Sequence, residues 1–180
     1  FAVIIGFING LFVVIIGLPP FIGTIATGYV VRGIVANLTK QVTQYGLPQA
    51  ITSFAWTKTL GISNLTWIAI LILIAGIWIL HCTSFGRKVY ACGGNAKASE
   101  IMGINVKLVK IECYIISAIG AAIAALMLMS RLGAARSGTA ETLHTECVAA
   151  AVIGGTSLKG GQGTMLGTLL GVFFIAMIRN

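Results

Sequence analysis

His144 and Glu146, two positions apart, are the nearest this sequence comes to a metal-binding or acid–base pair. One imidazole beside one carboxylate supplies two ligands, where zinc sites take three or four from the protein. There is no HExxH run, and His81 stands apart from any carboxylate. Each of these residues reads as a polar loop or interfacial group. Cys82, Cys92, Cys113 and Cys147 form no CxxC pair. They read as free thiols rather than a disulfide framework or a zinc site. Neither a catalytic centre nor a cofactor is expected from these side chains.

The run GGTSLKGGQGT at 154–164 has the glycine density of a phosphate-binding loop. Such a loop needs Lys and then Ser or Thr after its last glycine, opening a soluble helix. Here Thr164 and Met165 follow Gly163. A dinucleotide-binding turn needs an acidic residue about 20 positions on, and none is present. What the glycines do supply is backbone freedom beside apolar segments. At membrane depth, irregular backbone survives only when buried in protein or lining a cavity. Gly154, Gly155, Thr156, Ser157, Gly160 and Gly161 are therefore candidates for a translocation pathway, with neutral hydroxyls at Thr156 and Ser157. The alternative is an ordinary external turn between short helices.

These residues must be held by a chain that is 57% hydrophobic and only 9% charged. Its mean hydropathy is +0.99. Soluble domains carry roughly 25% charged residues. Too little polar surface is left to cover a water-soluble globule, so lipid must act as solvent. The expected fold is all-α: a polytopic integral membrane helical bundle with short interrupted or re-entrant segments, in a single transmembrane domain over 1–180. Spans are expected at 2–18, 21–37, 65–80, 111–129 and 164–178. Pro19 and Pro20 end the first, and Trp67 and Trp78 anchor the third at its two interfaces. Residues 38–64, with Gly46, Pro48 and Gly61, read as a polar connection. Residues 130–147, with Arg131, Arg136, Glu141, His144 and Glu146, read as a second. With no initiator Met before Phe1, the chain reads as a fragment of a longer protein. Three small-residue ladders, Gly6/Gly10, Gly163/Gly167/Gly171 and Ser117/Ala121/Ala125, have the spacing that lets membrane helices approach closely.

Twelve Lys and Arg against four acids give a net charge of +8. No polar basic domain accompanies that charge, so nucleic-acid binding is not expected. The positive-inside bias explains it better. Residues 81–110 carry Arg87, Lys88, Lys97, Lys107 and Lys110, while each polar connection carries two basic residues. This places 81–110 in the cytoplasm, with 2–18 and 65–80 running inward and 21–37 and 111–129 outward. The apolar run 148–158 has 11 residues, about half a span. It is expected to enter from outside and turn back, putting Lys159 on the face opposite Arg87 and leaving 164–178 to run inward to Arg179. The alternative is a short tilted helix that crosses completely, with Lys159 in the cytoplasm.

The basic segment has internal order. Asn95 suits an N-cap, 96–102 can make two helical turns, and Gly103 sits where a C′ glycine would stop them. Asn105 can cap the next helix. Ala98, Ile101 and Met102 share one face at i, i+3 and i+4. So short a helix does not stand alone in water. Its apolar face is covered either by its own membrane domain or by a cytoplasmic partner.

Four stretches together resemble the permease subunit of bacterial ribose-type ABC importers. They are NGLFVVIIGLPPFIGT at 9–24 with Arg32-Gly33, GRKVYACGGNAKASEIMGINVKLVK at 86–110, AAAVIGGTSLKGGQGT at 149–164, and GTLLGVFFIAMI at 167–178. The resemblance implies a multi-pass protein of the bacterial inner membrane with no active site of its own. It implies a second permease copy or homologue, a cytoplasmic ATP-binding subunit and a periplasmic-type sugar-binding protein as partners. It implies ATPase coupling through Gly86, Arg87, Asn95, Ala98, Glu100, Ile101, Met102 and Gly103. It adds Asn9, Pro20, Phe21 and Thr24 to the translocation pathway. No string of intramembrane carboxylates offers a proton relay, which accords with energy supplied by another subunit. Branched-chain amino-acid permeases share the glycine-rich region more loosely and stand as the alternative. A membrane-embedded enzyme is a further alternative, and would need a polar cluster at membrane depth.

Overall fold

The computed structural model describes all residues except 41, 46, 47, 60, 136, 137, 141 and 180. Gly46, Arg136 and Glu141, noted above, lie outside the described residues. The chain forms two compact units, Phe1–Ala69 with Lys110–Thr139 and Ile70–Val109 with Ala140–Asn180.

The first unit opens with α1 (Ala2–Leu11), which runs directly into a π-helical turn at Phe12–Ile16. Gly17, in the left-handed region at φ 73°, ends it. Helix α2 (Pro20–Leu38) begins with Pro20 in its first turn, where a missing amide donor costs nothing because it would have no intrahelical partner. Helix α1 packs on α7 (Val106–Leu132) through its two small residues. A Cβ added at Gly6 would stand 2.7 Å from Ala118 Cβ, and one at Gly10 would stand 3.1 Å from Ile111 Cα. The Gly6/Gly10 ladder is thus a contact face, as expected. Its partner stripe is Ile111, Tyr114, Ile115 and Ala118. Ser117, Ala121 and Ala125 are all exposed instead.

The 38–64 connection is more ordered than its polarity suggested. It contains β1 (Gln44–Tyr45), α3 (Gln49–Trp56), β2 (Lys58–Thr59) and β3 (Ile62–Ser63). Strand β1 pairs antiparallel with β4 (Ala134–Ala135), Gln44 opposite Ala135 and Tyr45 opposite Ala134. Both polar connections therefore share one face, as the charge count requires. These two-residue ladders leave the fold helical.

Helix α4 (Asn64–Cys82) leads into the second unit. It has mean hydropathy 2.3, and none of its residues is buried in this chain. Then come α5 (Ser84–Gly94) and α6 (Ala96–Ile101). Helices α8 (Leu143–Ile153) and α9 (Met165–Arg179) form an antiparallel hairpin. A Cβ at Gly171 would overlap the Ala150 carbonyl, and one at Gly167 the Gly154 carbonyl. At the open end, Arg179 Nη1 donates to both Glu146 carboxylate oxygens, at 3.1 and 2.9 Å. Of the Gly163/Gly167/Gly171 ladder, Gly167 and Gly171 let the two backbones meet, while Gly163 stands against the Thr156 side chain.

Helices α2, α4 and α7 are long and apolar enough to cross a membrane, while Ala2–Ile16, α8 and α9 are shorter apolar helices. The expected spans at 2–18 and 164–178 fall on the shorter class.

Candidate functional site

The basic segment is built around α6, and its two ends are fixed by hydrogen bonds that the sequence had indicated. Asn95 Oδ1 accepts from the Ala98 amide at 3.1 Å, filling the N-cap role. At the other end Gly103 adopts φ 82°. The Gly103 amide donates to the Glu100 carbonyl and the Ile104 amide to the Ser99 carbonyl, each at 3.0 Å. This 5→2 and 6→1 pair is a Schellman stop, which needs a left-handed residue at Gly103. Asn105 Oδ1 then accepts from the Leu108 amide at 3.1 Å, opening α7.

The apolar side of α6 is not covered by the chain itself. Ile101 is 87% exposed and Met102 67% exposed. Ala98 is half-buried, Glu100 is exposed, and Ser99 is buried with its hydroxyl donating to the Asn95 carbonyl at 3.0 Å. Among the described residues, none covers the Ile101 and Met102 side chains.

Helix α5 carries little helix signal of its own, because its sequence, SFGRKVYACGG, is basic and rich in glycine. Thr83 sets its start: the Gly86 amide donates to Thr83 Oγ1 at 3.2 Å. Gly86 is buried, and a Cβ there would overlap the Leu80 carbonyl. Glycine at this position therefore lets α5 fold back onto the last turn of α4. Arg87 is exposed, and its Nη2 donates to Ser84 Oγ at 2.9 Å.

The glycine-rich segment is the tip of the α8–α9 hairpin. A second Schellman stop closes α8: the Gly155 amide donates to Val152 and the Thr156 amide to Ala151, both at 2.9 Å, with Gly155 at φ 86°. Ser157 Oγ accepts from the Lys159 amide at 3.2 Å, and the Ser157 amide donates to the Gln162 carbonyl at 3.0 Å. The tip lies against α5. The Tyr90 hydroxyl donates to the Gly163 carbonyl at 2.7 Å. A Cβ at Gly161 would stand 2.7 Å from the Gly94 amide nitrogen, and one at Gly160 3.1 Å from the Gly93 carbonyl.

That contact corrects the expected course of 148–163. Lys159 sits in the tip that packs on the helix carrying Arg87, so both lie on the same face. The segment does not enter from the side opposite the basic loop. Helix α8 runs toward the basic segment and α9 runs back, which carries Arg179 away from Arg87. The expectation took 148–158 as half a span and missed that residues 143–147 extend the helix through a polar start. It also missed that Gly93-Gly94 and Gly160-Gly161 form mating surfaces. Gly154, Gly160 and Gly161 serve close backbone packing, and Thr156 sits against Gly163. The re-entrant course expected for this segment is thereby replaced by a packed hairpin tip.

In the first unit, Pro20 and Phe21 are exposed at the start of α2. Thr24 Oγ1 donates back to the Pro20 carbonyl at 3.0 Å. Asn9 Oδ1 is buried and has no hydrogen-bond partner. It sits one turn before the π-helical segment. Cys82, Cys92, Cys113 and Cys147 are not joined in disulfides. Among the described residues, no three His, Cys, Asp or Glu side chains cluster at metal-binding range.

Apolar helices long enough to span a bilayer, shorter glycine-zipped apolar helices and a capped basic segment define a helical integral membrane protein. The chain belongs to the family of the branched-chain amino acid transport system permease component, whose sequence model matches residues 1–180. It is 35% identical over 173 residues to the autoinducer 2 import system permease protein of Klebsiella pneumoniae, covering 96% of this chain and 50% of that protein. It is 38% identical over 175 residues to the ribose import permease protein of Bacillus subtilis, covering 96% and 54%. It is 34% identical over 166 residues to a probable ABC transporter permease protein of Escherichia coli, covering 92% and 50%. The chain thus spans about half the length of these relatives. No solved structure matches it.

Proposed function

We propose that this chain is part of the permease subunit of an ATP-binding-cassette importer for a simple sugar such as ribose, or a related small solute. It acts as one transmembrane permease domain in the bacterial inner membrane. ATP hydrolysis resides on a separate cytoplasmic subunit. A second permease copy or homologue completes the channel, and a periplasmic-type sugar-binding protein delivers the solute. The observation that carries this reading is the identity to import permeases, 38% to the ribose permease among them, sustained over 96% of the chain. The branched-chain amino-acid alternative rests on the family's description alone.

In this reading α6 is the coupling helix. Gly86 and Arg87 set the approach, Asn95 and Gly103 fix its ends, and Ala98, Glu100, Ile101 and Met102 meet the ATPase. The exposed Ile101 and Met102 support this, since two large apolar side chains on a six-residue helix are poorly suited to water. For the pathway, Asn9, Pro20, Phe21 and Thr24 are the better-supported set. A buried amide oxygen with no partner, beside a π-helical turn and a broken helix, fits a solute-facing position.

The test is co-purification of the full-length permease with its ATPase, together with uptake of radiolabelled ribose and leucine in a strain deleted for the transporter. Ile101→Asp is expected to leave the permease in the membrane and release the ATPase. Full ATPase retention with unchanged uptake would remove the coupling assignment. Uptake of leucine and not ribose would transfer the protein to the amino-acid branch.

A further inference from the structure

Tyr90, Gly93 and Gly94 play no part in the coupling surface described above, yet they make long-range contacts within the second unit. The Tyr90 hydroxyl reaches the Gly163 carbonyl, 73 positions away, at 2.7 Å. Gly93 and Gly94 meet Gly160 and Gly161 backbone to backbone, so closely that a Cβ on Gly93 would overlap the Gly161 amide nitrogen. Gly160 and Gly161 both lie in the left-handed region, at φ 94° and 76°. Their shape is therefore available to glycine and strained for other residues. On one side of this contact α5 passes through the single residue Asn95 into α6. On the other the tip continues into α8 and α9, locked by Gly154, Gly167 and Gly171.

We infer that Tyr90 and the Gly93–Gly94 pair are positioning residues that lock the α5–α6 segment to the tip of the α8–α9 hairpin, so that displacement of α6 moves the hairpin with it. Backbone packed on backbone leaves no flexible side chain to absorb the motion, and close-packed protein transmits strain rather than damping it. The hydroxyl of Tyr90 fixes the angle of the tip. The inference rests on the reading of α6 as the ATPase contact.

The test uses the full-length permease in nanodiscs, alone and with its ATPase subunit, its native cysteines replaced by alanine. Spin labels go on Lys97→Cys in α6 and Lys159→Cys in the tip, both exposed positions. The expected result is one narrow inter-label distance that stays unchanged between the nucleotide-free and vanadate-trapped states. It is expected to broaden in Tyr90→Phe or in Gly161→Ala, with loss of solute transported per ATP hydrolysed while ATPase retention stays at the parent level. A distance that shifts on trapping in the parent would overturn the inference. So would a distance that stays narrow in both variants. If the parent fails to retain the ATPase, the reading of α6 falls instead, and the distances measured in the permease alone still decide whether the joint is rigid.

Discussion

Gly6 on α1 and Ala118 on α7 stand so close that a methyl added at Gly6 would meet the Ala118 methyl at 2.7 Å. The Tyr114 carbonyl, 2.8 Å away on the other side, is backbone and cannot rotate clear. Gly6→Ala is therefore expected to cost about 1–3 kcal/mol, the range for forcing extra volume into packed contacts. Gly28→Ala is the control, since an added Cβ there meets nothing within 4 Å. Thermal unfolding in detergent should separate the two variants, and equal melting temperatures would disprove the α1–α7 contact.

At Gly103 the constraint is conformational alone, because an added Cβ meets nothing within 4 Å and φ is 82°. Gly103→Ala is expected to weaken the α6 stop by about 1–2 kcal/mol, the left-handed penalty for L-residues, with Gly103→Val worse. Asn95→Ala should cost about 1 kcal/mol at the other end, and Asn95→Asp much less. Amide exchange at Ala98 and Ile104 reads both directly. It should accelerate in the alanine variants while the amides of α4 keep their protection.

The shared face of Arg87 and Lys159 makes a labelling prediction. With the basic segment in the cytoplasm, Cys92 and a cysteine at Lys159 should both resist an impermeant thiol reagent applied outside intact cells. A cysteine at Gln44, in the 38–64 connection that the charge count expects outside, should react. Labelling of Lys159→Cys together with Gln44→Cys, and not of Cys92, would contradict the Tyr90–Gly163 contact.

The hairpin should respond unequally at its two ends. Glu146→Gln breaks an ion pair whose Arg179 side chain is 65% exposed, and exposed pairs contribute about 0–1 kcal/mol. Gly171→Ala drives a methyl into the Ala150 carbonyl and should deplete folded permease from the membrane. If Glu146→Gln proves the more damaging of the two, the glycine ladder is not what holds α8 to α9.

The long elements were legible because each carries its own signal. Apolar runs bounded by Pro19-Pro20 and by Trp67 and Trp78 mark α2 and α4. Asn95, Gly103 and Asn105 mark helix ends through local hydrogen bonds that need no distant partner. Helix α5 and the course of the hairpin were not legible. Their structure depends on Gly86 meeting Leu80, Gly93-Gly94 meeting Gly160-Gly161, and Gly171 meeting Ala150. A glycine declares that something comes close, and the sequence does not say what. Helix α3 was hidden for another reason. It opens after Pro48 inside polar surroundings that read as connection.

The zipped hairpin also sets the order of events at the ribosome. Helix α4, 19 residues long at mean hydropathy 2.3, can partition into lipid by itself as soon as it leaves the translocon. Helix α8, at 11 residues, falls short of a bilayer's thickness. The face it needs for partnership is supplied by the glycines at 167 and 171, which are synthesised later. It must therefore wait at the translocon or beside its finished neighbours until α9 emerges, and the two enter together as one inserted unit.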